Sequence, residues 1–491
     1  MLRITTRCLL VALASVGALS FSACGNKSPE TLQLERMQVA RAAGVPSDVK
    51  LTCVVSPTDF ASWFQSGSVS EGGFVTAADS LVAPQSACDA YTWSWRMFLW
   101  QFSENSGELV FNSPPFFDLN EQNELVSDAV GTGGQKTKHV RGGKRESVDR
   151  DGQAGAVNGV LMSQDVSLTP GGSLVYYAIH VNDVYAYMAS GVNSGDLAGQ
   201  QGMDEFPTTS QQLATIVDYA TQSYGVTIND ANSLAMEVKS SWVKVTPGMD
   251  ASTYATIVAD VPKYTRDSEN KKWTWDGVTQ EEDVTLACVG FHIVGSMADH
   301  PEMIWATFEH VNNVPLGDYY YLNESGTVTE QKNWNNGAPV PGVWLFMDGT
   351  SREASMNQMH MELNGNDIVA LSGETISPSN TMRSQAWGDP DGEASAANNT
   401  DILSINQNIV SMLSPGDVRA NYALVGATYT KNGVPGVGIK KPVFEGSTLL
   451  ANSTMETYYQ SKSCFGCHNG GMLSGLSHIF TGVKPLPKPS K

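Results

Sequence analysis

The chain has 491 residues and a formal net charge of −20, although only 16% of its residues are charged. This strong negative charge argues against nucleic acid or an anionic lipid surface as a binding partner. Hydrophobic residues make up 41% of the chain, and Gly, Ser, Thr and Asn are plentiful. This composition excludes a disordered polymer and is typical of an exported, loop-rich globular protein.

The N-terminus has the parts of an export signal. Arg3 and Arg7 precede an apolar run over 8–21 that is too short to span a bilayer, and small residues follow it. Cys24 comes after Phe-Ser-Ala and resembles the lipid-modified cysteine of a bacterial lipobox. We therefore predict a lipoprotein signal peptide over 1–23 and a mature protein that is lipid-anchored in the periplasm or at the cell surface. An ordinary secretory signal is the alternative.

The mature chain divides into three predicted parts. Residues 24–45 are polar and short of core-forming side chains, as expected of a tether. Residues 46–445 carry both helical and strand patterns, and they predict a large, strand-rich α+β body. Residues 446–491 form a short C-terminal segment, which we expect to be helical and to bind the cofactor discussed below. Residues 131–155 are Gly-, Lys- and Arg-rich and predict an exposed loop.

Helices are predicted where apolar periodicity meets a capping residue. The predicted helices are Thr58–Gln65, the aromatic stretch Tyr91–Phe102, whose tryptophans we assign to the core, and a helix capped by Thr209 and Gln212 and ended by Gly225.

Strands are predicted where β-branched and aromatic residues form alternating or continuous apolar runs. The predicted strands are Met236–Val245, Lys271–Gly277, Val284–Val294 and Val343–Met347, together with a hairpin over Leu174–Met188 that turns at Asn182–Asp183. Residues 377–406 are polar and contain a turn.

The cysteines of the body are expected to differ in role. In an oxidising compartment, Cys53 and Cys88 are the preferred disulfide pair. Cys288 lies in an apolar run and is predicted to be a small buried residue.

Near the C-terminus, Cys464-Phe-Gly-Cys467-His468 is the C-x-x-C-H attachment motif of a c-type haem. Two thiols three positions apart can each bond one vinyl group of a single porphyrin, and His468 can then bind the iron as the proximal ligand. We therefore predict one covalent haem c. Ser453 and Glu456 form a capping box that predicts a helix leading into this motif.

A zinc knuckle or a redox-active C-x-x-C are the alternatives to haem. A structural zinc site requires a second pair of Cys or His ligands at similar spacing, and the sequence has no second C-x-x-C. A redox-active motif is expected after a strand near the start of a βαβ unit, whereas this one lies near the end of the chain.

The second axial ligand is predicted from the reach of the chain. Met472 follows His468 by four residues, which span only roughly 13–14 Å and leave too little slack to round the porphyrin edge. His478 follows by ten residues and reaches roughly 33 Å, so it is the predicted distal ligand. The alternatives left open are an unoccupied position and the side chains of Met472, Met455, Met359, His360 and His310.

Three further histidines, His292, His300 and His310, lie within nineteen residues of one another. They suggest a metal site or a second axial ligand, but their spacings of eight and ten match no common metal motif. Glu309 and His310 precede two asparagines, and we expect them to form a hydrogen-bonded turn after a strand.

Several stretches outside the motif resemble a known group of proteins. They are Cys88–Trp100, Trp305–Val311, Leu450–Thr457 and Leu476–Phe480. These stretches are similar to an uncharacterised group of bacterial proteins loosely called cytochrome c family proteins. The resemblance implies an exported monohaem protein with a large accessory body, and it implies no substrate. The short haem segment departs from small cytochromes c, whose fold continues further after the motif.

These features predict an exported monohaem c-type cytochrome lipoprotein that binds haem and passes electrons to a redox partner protein. One alternative is a haem-dependent redox enzyme of peroxide or oxygen chemistry, in which the body forms the substrate pocket. The other alternative is a surface-binding module in which the haem only stabilises the fold.

Overall fold

The structure is a computed structural model that describes residues 45–105, 107–120, 122–126, 141–142, 159–164, 172–335, 338–339, 344–349, 355–437 and 441–489. The predicted signal peptide, Cys24, almost all of the predicted tether and most of the predicted loop over 131–155 lie outside these residues.

Four of the six α-helices in the described residues begin where a side chain caps the first turn. In the first long helix, Ser86 accepts a hydrogen bond from the backbone N–H of Asp89, and in another Thr209 and Gln212 form the predicted capping box. The helices are α1 Pro57–Trp63, α2 Ala87–Gln101, α3 Asp183–Ser194, α4 Ser210–Tyr224, α5 Ala396–Met412 and α6 Cys464–Cys467. The predicted helices in the regions of α1, α2 and α4 are therefore confirmed.

The strands of the described residues are β1 Glu104–Asn105, β2 Glu108–Leu109, β3 Phe116–Leu119, β4 Leu125–Val126, β5 Arg141–Gly142, β6 Val175–Asn182, β7 Met236–Lys244, β8 Thr256–Pro262, β9 Thr265–Arg266, β10 Lys272–Thr274, β11 Gln280–Met297, β12 His300–His310, β13 Tyr319–Leu322, β14 Val328–Gln331, β15 Trp334–Asn335, β16 Ala338–Pro339, β17 Met361–Asn364, β18 Asp367–Ala370, β19 Tyr422–Thr430 and β20 Phe444–Gly446. Strand-rich sheets with several helices confirm the α+β class.

One antiparallel sheet of ten strands organises the body. Its main path runs β20-β19-β12-β11-β7-β6-β3-β4, with β5 beside β6 and β8 beside β11. The predicted strands over Met236–Val245 and Val284–Val294 are confirmed as β7 and β11, which pair with each other in the middle of the sheet.

One face of this sheet is apolar and packs on α2 and α5. The Phe98 ring stacks on Phe308 of β12 with centroids 4.3 Å apart, and Trp95 packs edge-on against the Phe308 ring. The Trp95 Nε1–H also donates to Asn406 Oδ1 of α5 at 3.0 Å. The tryptophans of α2 therefore belong to the core, as the sequence predicts.

A disulfide ties the start of the body to α2. Cys53 and Cys88 form the predicted pair, with Cα atoms 5.6 Å apart. Cys288 is fully buried, as predicted.

The other face of the sheet is polar in its middle. Strand alternation brings to this polar face the side chains of Glu237, Lys239 and Ser241 from β7, His292 and Val294 from β11, and Trp305, Thr307 and Glu309 from β12. Residues 446–489, the C-terminal segment, lie across this face and also contact α3. The Asn193 side chain of α3 donates to the carbonyls of Phe480 and Val483, both at 2.8 Å.

One predicted element, the hairpin, is wrong for a local reason. Residues Leu174–Met188 do not form a hairpin, because Asn182 ends β6 and caps α3 by accepting the backbone N–H of Tyr185 at 3.1 Å. Asn favours turns and helix N-caps alike, so the same residue type signals both.

Other predictions are wrong where contacts between residues far apart in the sequence determine the local structure. The described part of Val343–Met347 forms only an isolated bridge between Trp344 and Met347. The polar stretch 377–406 leads into α5, which the prediction missed. Residues 454–462 form turns instead of the predicted helix. Glu309 and His310 are the last two residues of β12, so Glu309 lies in the strand and not in the predicted turn. The turn after the strand is confirmed at His310, whose carbonyl accepts the backbone N–H of Asn313 at 3.1 Å.

No helix among the described residues is both long enough and apolar enough to cross a membrane.

Candidate haem site

The start of the C-terminal segment is fixed to β12 by buried hydrogen bonds. The Asn452 amide donates to Thr307 Oγ1 at 2.8 Å and to the Phe308 carbonyl at 3.0 Å. Ser453 donates its backbone N–H and its hydroxyl to the two oxygens of Glu309, at 2.7 and 2.5 Å. Arg383 approaches the same carboxylate at 3.3 Å, so a charge that is costly to bury alone has three partners.

A glycine allows the close approach of the segment to β11. A Cβ at Gly290 would lie 2.8 Å from Asn452 Oδ1 and closer still to the hydroxyls of Thr454 and Ser241. These two hydroxyls are hydrogen-bonded to each other at 2.7 Å. A side chain at position 290 would therefore push the segment off the sheet.

Glu456 joins the segment to His292 of the sheet. Its Oε1 meets His292 Nε2 at 3.0 Å, and its Oε2 accepts the backbone N–H of Asn452 at 2.8 Å. The predicted capping box of Ser453 with Glu456 is therefore wrong, because Ser453 binds Glu309 instead. Burial raises the pKa of the Glu456 carboxyl, but the charge and hydrogen bond of His292, the charge of Lys239 and the backbone N–H of Asn452 together outweigh it, and the net pKa is lowered.

The C-x-x-C-H motif forms one helical turn, α6, which begins after Ser463. The thiols of Cys464 and Cys467 are reduced and half-buried, and the backbone N–H of His468 donates to the Cys464 carbonyl at 2.8 Å. Phe465 lies between them and packs on Phe444 and Trp305, with ring centroids 5.9 Å apart in each case. This packing buries the middle of the turn and keeps both thiols on one side of the segment.

His468 is held in one orientation by three neighbours. Its Nδ1 is hydrogen-bonded to the Leu476 carbonyl at 2.8 Å. Its ring lies 4.2 Å from that of Trp305 and 4.3 Å from that of His478. A metal-binding histidine usually donates its second ring N–H to a carbonyl or carboxylate, which fixes the ring and leaves the other nitrogen for the metal. His468 has this arrangement through Nδ1, so Nε2 is the nitrogen that suits iron.

The thiols and His468 line a cleft between the segment and the polar face of the sheet. Its lining residues are His292, Val294, Trp305, Ala306, Leu450, Glu456, Tyr459, Lys462, Ser463, Cys464, Cys467 and His468. The cavity volume is about 60 Å³, which has room for water but not for a porphyrin. The donor set fits a haem c, whereas the cleft would have to widen to admit one.

Comparison with known protein families, curated proteins and solved structures finds no match to this chain. Within the part of the chain that the structure describes, no group of three or more His, Cys, Asp or Glu side chains is arranged to hold a metal ion. The zinc alternative therefore lacks a ligand set among these residues. A haem needs two thiols and one imidazole from the motif itself.

Burial affects the Cys464 thiol strongly. It raises the pKa of this thiol well above its ordinary value, and the nearby Glu456 carboxylate adds to the rise. The thiolate is the nucleophilic form of cysteine, so the folded segment keeps this thiol unreactive at neutral pH.

The structure places His478 beside His468 instead of across the cleft from it. The two rings are stacked face to face, with an angle of 13° between their planes. Two axial ligands approach an iron from opposite faces of the porphyrin, so this stack would have to open before His478 could take the distal position. Ligation by His478 stays a prediction.

The other candidate distal ligands do not line the cleft. Met455 is fully buried against the sheet, and Met472 packs against an apolar cluster on the side of α3 and α4. His310 stacks on Tyr254, and His360 is hydrogen-bonded to the Ser377 carbonyl at 2.9 Å. Met359 is half-buried and also lies outside the lining.

A second polar connection holds the end of the segment. The Ser477 hydroxyl donates to Glu237 at 2.6 Å and accepts from the Tyr185 hydroxyl at 2.7 Å. Burial raises the pKa of the Glu237 carboxyl. Sequence reasoning missed Glu237, Trp305 and the pair of His292 with Glu456. The available signal was the alternation of polar side chains along strands that are otherwise apolar.

We expect Glu456→Gln to lower the free energy of unfolding at pH 7 by about 1–3 kcal/mol, since it removes the charge that His292 binds. The pKa of Glu456 is lowered in the fold, so its contribution is present above its ordinary pKa of about 4.3 and is lost as the pH falls through the folded-state value. The difference between wild type and variant should therefore shrink in denaturant titrations from pH 7 to pH 3.

Glu281→Gln is the matched control for this titration. Glu281 forms an exposed pair with Lys244, and loss of that pair should cost at most about 1 kcal/mol. A Glu456→Gln effect that is equal at every pH would contradict the assignment.

Proposed function

We propose that the protein is an exported monohaem c-type cytochrome that passes electrons to a partner protein. The observation that carries this proposal is the donor set of the cleft. Both thiols of the C-x-x-C-H motif lie on a single helical turn, and the adjacent His468 is oriented through its Nδ1 as an iron-binding imidazole requires.

In this proposal the chain's own residues hold and shield the cofactor. Cys464 and Cys467 would form the two thioether bonds, and His468 would bind the iron as the proximal ligand. The haem, when bound, supplies reversible one-electron chemistry. Val294 and Trp305 present apolar surface in the cleft, and this surface would exclude water from one side of the cofactor.

The size of the cleft bears on when haem is attached. The cavity of about 60 Å³ is too small for a porphyrin, and the Cys464 thiol is kept protonated by burial. Both observations favour attachment before the C-terminal segment packs against the sheet. The segment would then close over the polar face with the haem in place.

The proposed location follows from the N-terminus and from charge. Cys24 would carry a lipid that anchors the protein to a bacterial membrane in the periplasm or at the cell surface, and residues 24–45 would separate the body from it. A chain with a net charge of −20 suits a redox partner with a basic contact surface.

The mature wild-type protein should contain one covalent haem, and Cys464→Ala combined with Cys467→Ala should remove it. Thioether bonds survive unfolding, so haem should stay with the denatured wild-type chain on a gel. Cys288→Ala is the control, because Cys288 is also a reduced cysteine but is fully buried and lies outside the cleft. A covalent c-type spectrum that persists in the double variant, or a wild type that carries none, would refute the proposal.

Labelled palmitate should be incorporated into the wild type and lost in Cys24→Ala, because Cys24 is the predicted acylated residue. Cys8→Ala is the control, since Cys8 lies within the predicted signal peptide and its loss should leave the label in place. Cleavage at another position without any label would show that the protein is not a lipoprotein.

A further inference from the structure

Two histidines line the cleft that contains the thiols. His468 belongs to the C-terminal segment, and His292 belongs to β11 of the sheet. The other described histidines, His180, His300, His310, His360 and His478, are not among the residues that line this cleft.

His292 is placed in the cleft by strand register. It pairs across the sheet with Thr307, and Val294 pairs with Trp305, so His292 lies on the same face as the ring that packs on His468. Its side chain is 19% exposed, which leaves it accessible from the cleft. A one-residue shift in the β11 register would turn it to the opposite face of the sheet.

The contact of His292 with Glu456 has the form of a metal-ligand support. Its Nε2 lies 3.0 Å from Glu456 Oε1, and the Glu456 carboxylate is itself fixed by the Asn452 backbone N–H. A carboxylate that binds one nitrogen of an imidazole sets the tautomer and orients the other nitrogen toward a metal. His292 is held through Nε2, which leaves Nδ1 to face a metal, whereas His468 is held through Nδ1, which leaves Nε2. Both residues line the same cleft, one from the sheet and one from the C-terminal segment.

We propose that His292 is the distal iron ligand of the haem, supplied by the sheet, and that His478 instead supports the proximal His468 by stacking on it. This inference rests on the proposed function, because it requires a haem on Cys464 and Cys467. The iron would then join the C-terminal segment to β11. Two imidazole ligands would also give a lower midpoint potential than ligation by His and Met.

The test uses the haem-loaded mature protein and measures the spin state of the ferric iron by absorption and electron paramagnetic resonance. Wild type should be six-coordinate and low-spin. His292→Ala should become high-spin, and added imidazole should restore the low-spin spectrum. His292→Met should stay low-spin with a raised midpoint potential, and this variant decides the question if His292→Ala does not fold.

Two further variants serve as comparisons. His478→Ala should stay low-spin, since in this proposal it loses only a stacked neighbour of His468. His300→Ala is the matched control: His300 forms a similar pair with Glu302 at 2.9 Å and is 13% exposed, but it lies outside the cleft. It should leave both the spin state and the midpoint potential unchanged.

The inference is overturned if His292→Ala remains low-spin, if His292→Met leaves the midpoint potential unchanged, or if His478→Ala becomes high-spin. A wild-type iron that is already high-spin also overturns it, and that result would favour the redox-enzyme alternative, which needs an open iron position. Failure of the proposed function is distinguishable from all of these results, because the wild-type protein would then carry no covalent haem.

Discussion

Glu309 is a carboxylate buried in the middle of the sheet, with its side chain only 2% exposed. It is compensated by the backbone N–H and hydroxyl of Ser453 and by the Arg383 guanidinium. Removing one partner of such a buried charge typically costs about 3–5 kcal/mol. The C-terminal segment therefore cannot leave the sheet cheaply, and the position of the cleft depends on this contact.

The two faces of the sheet have different roles: one supplies the core, and the other binds the C-terminal segment. The apolar face packs on the aromatic side chains of α2 and supplies most of the core. The polar face binds the segment by hydrogen bonds through Glu309, His292 and Glu237. Apolar side chains of the same face add to this contact, because Val294 and Trp305 belong to one cluster with Phe465 of the segment. The segment has little regular structure of its own, one α-helical turn at Cys464–Cys467 and one 3-10 turn at Phe480–Gly482, so its position depends on its contacts with the body.

The sequence predicts well those features whose cause is local. The capping box of Thr209 with Gln212 and the apolar run over Val284–Val294 each act within a few residues, and both predictions are confirmed. The site depends on contacts that no local pattern contains. Glu456 meets His292 across 164 residues of sequence, so its local pairing with Ser453 was the wrong expectation. The motif itself could be found because its three reactive residues lie within five consecutive positions.

The most direct test is a crystal structure of the mature protein, purified from cells that attach c-type haem. We expect one porphyrin bonded to Cys464 and Cys467 and inserted between the segment and the polar face, beside Trp305, with the contact between Ser453 and Glu309 intact. A porphyrin on the outer side of the segment, over a cleft that is still closed, would contradict the site. So would a protein whose thiols carry no haem at all.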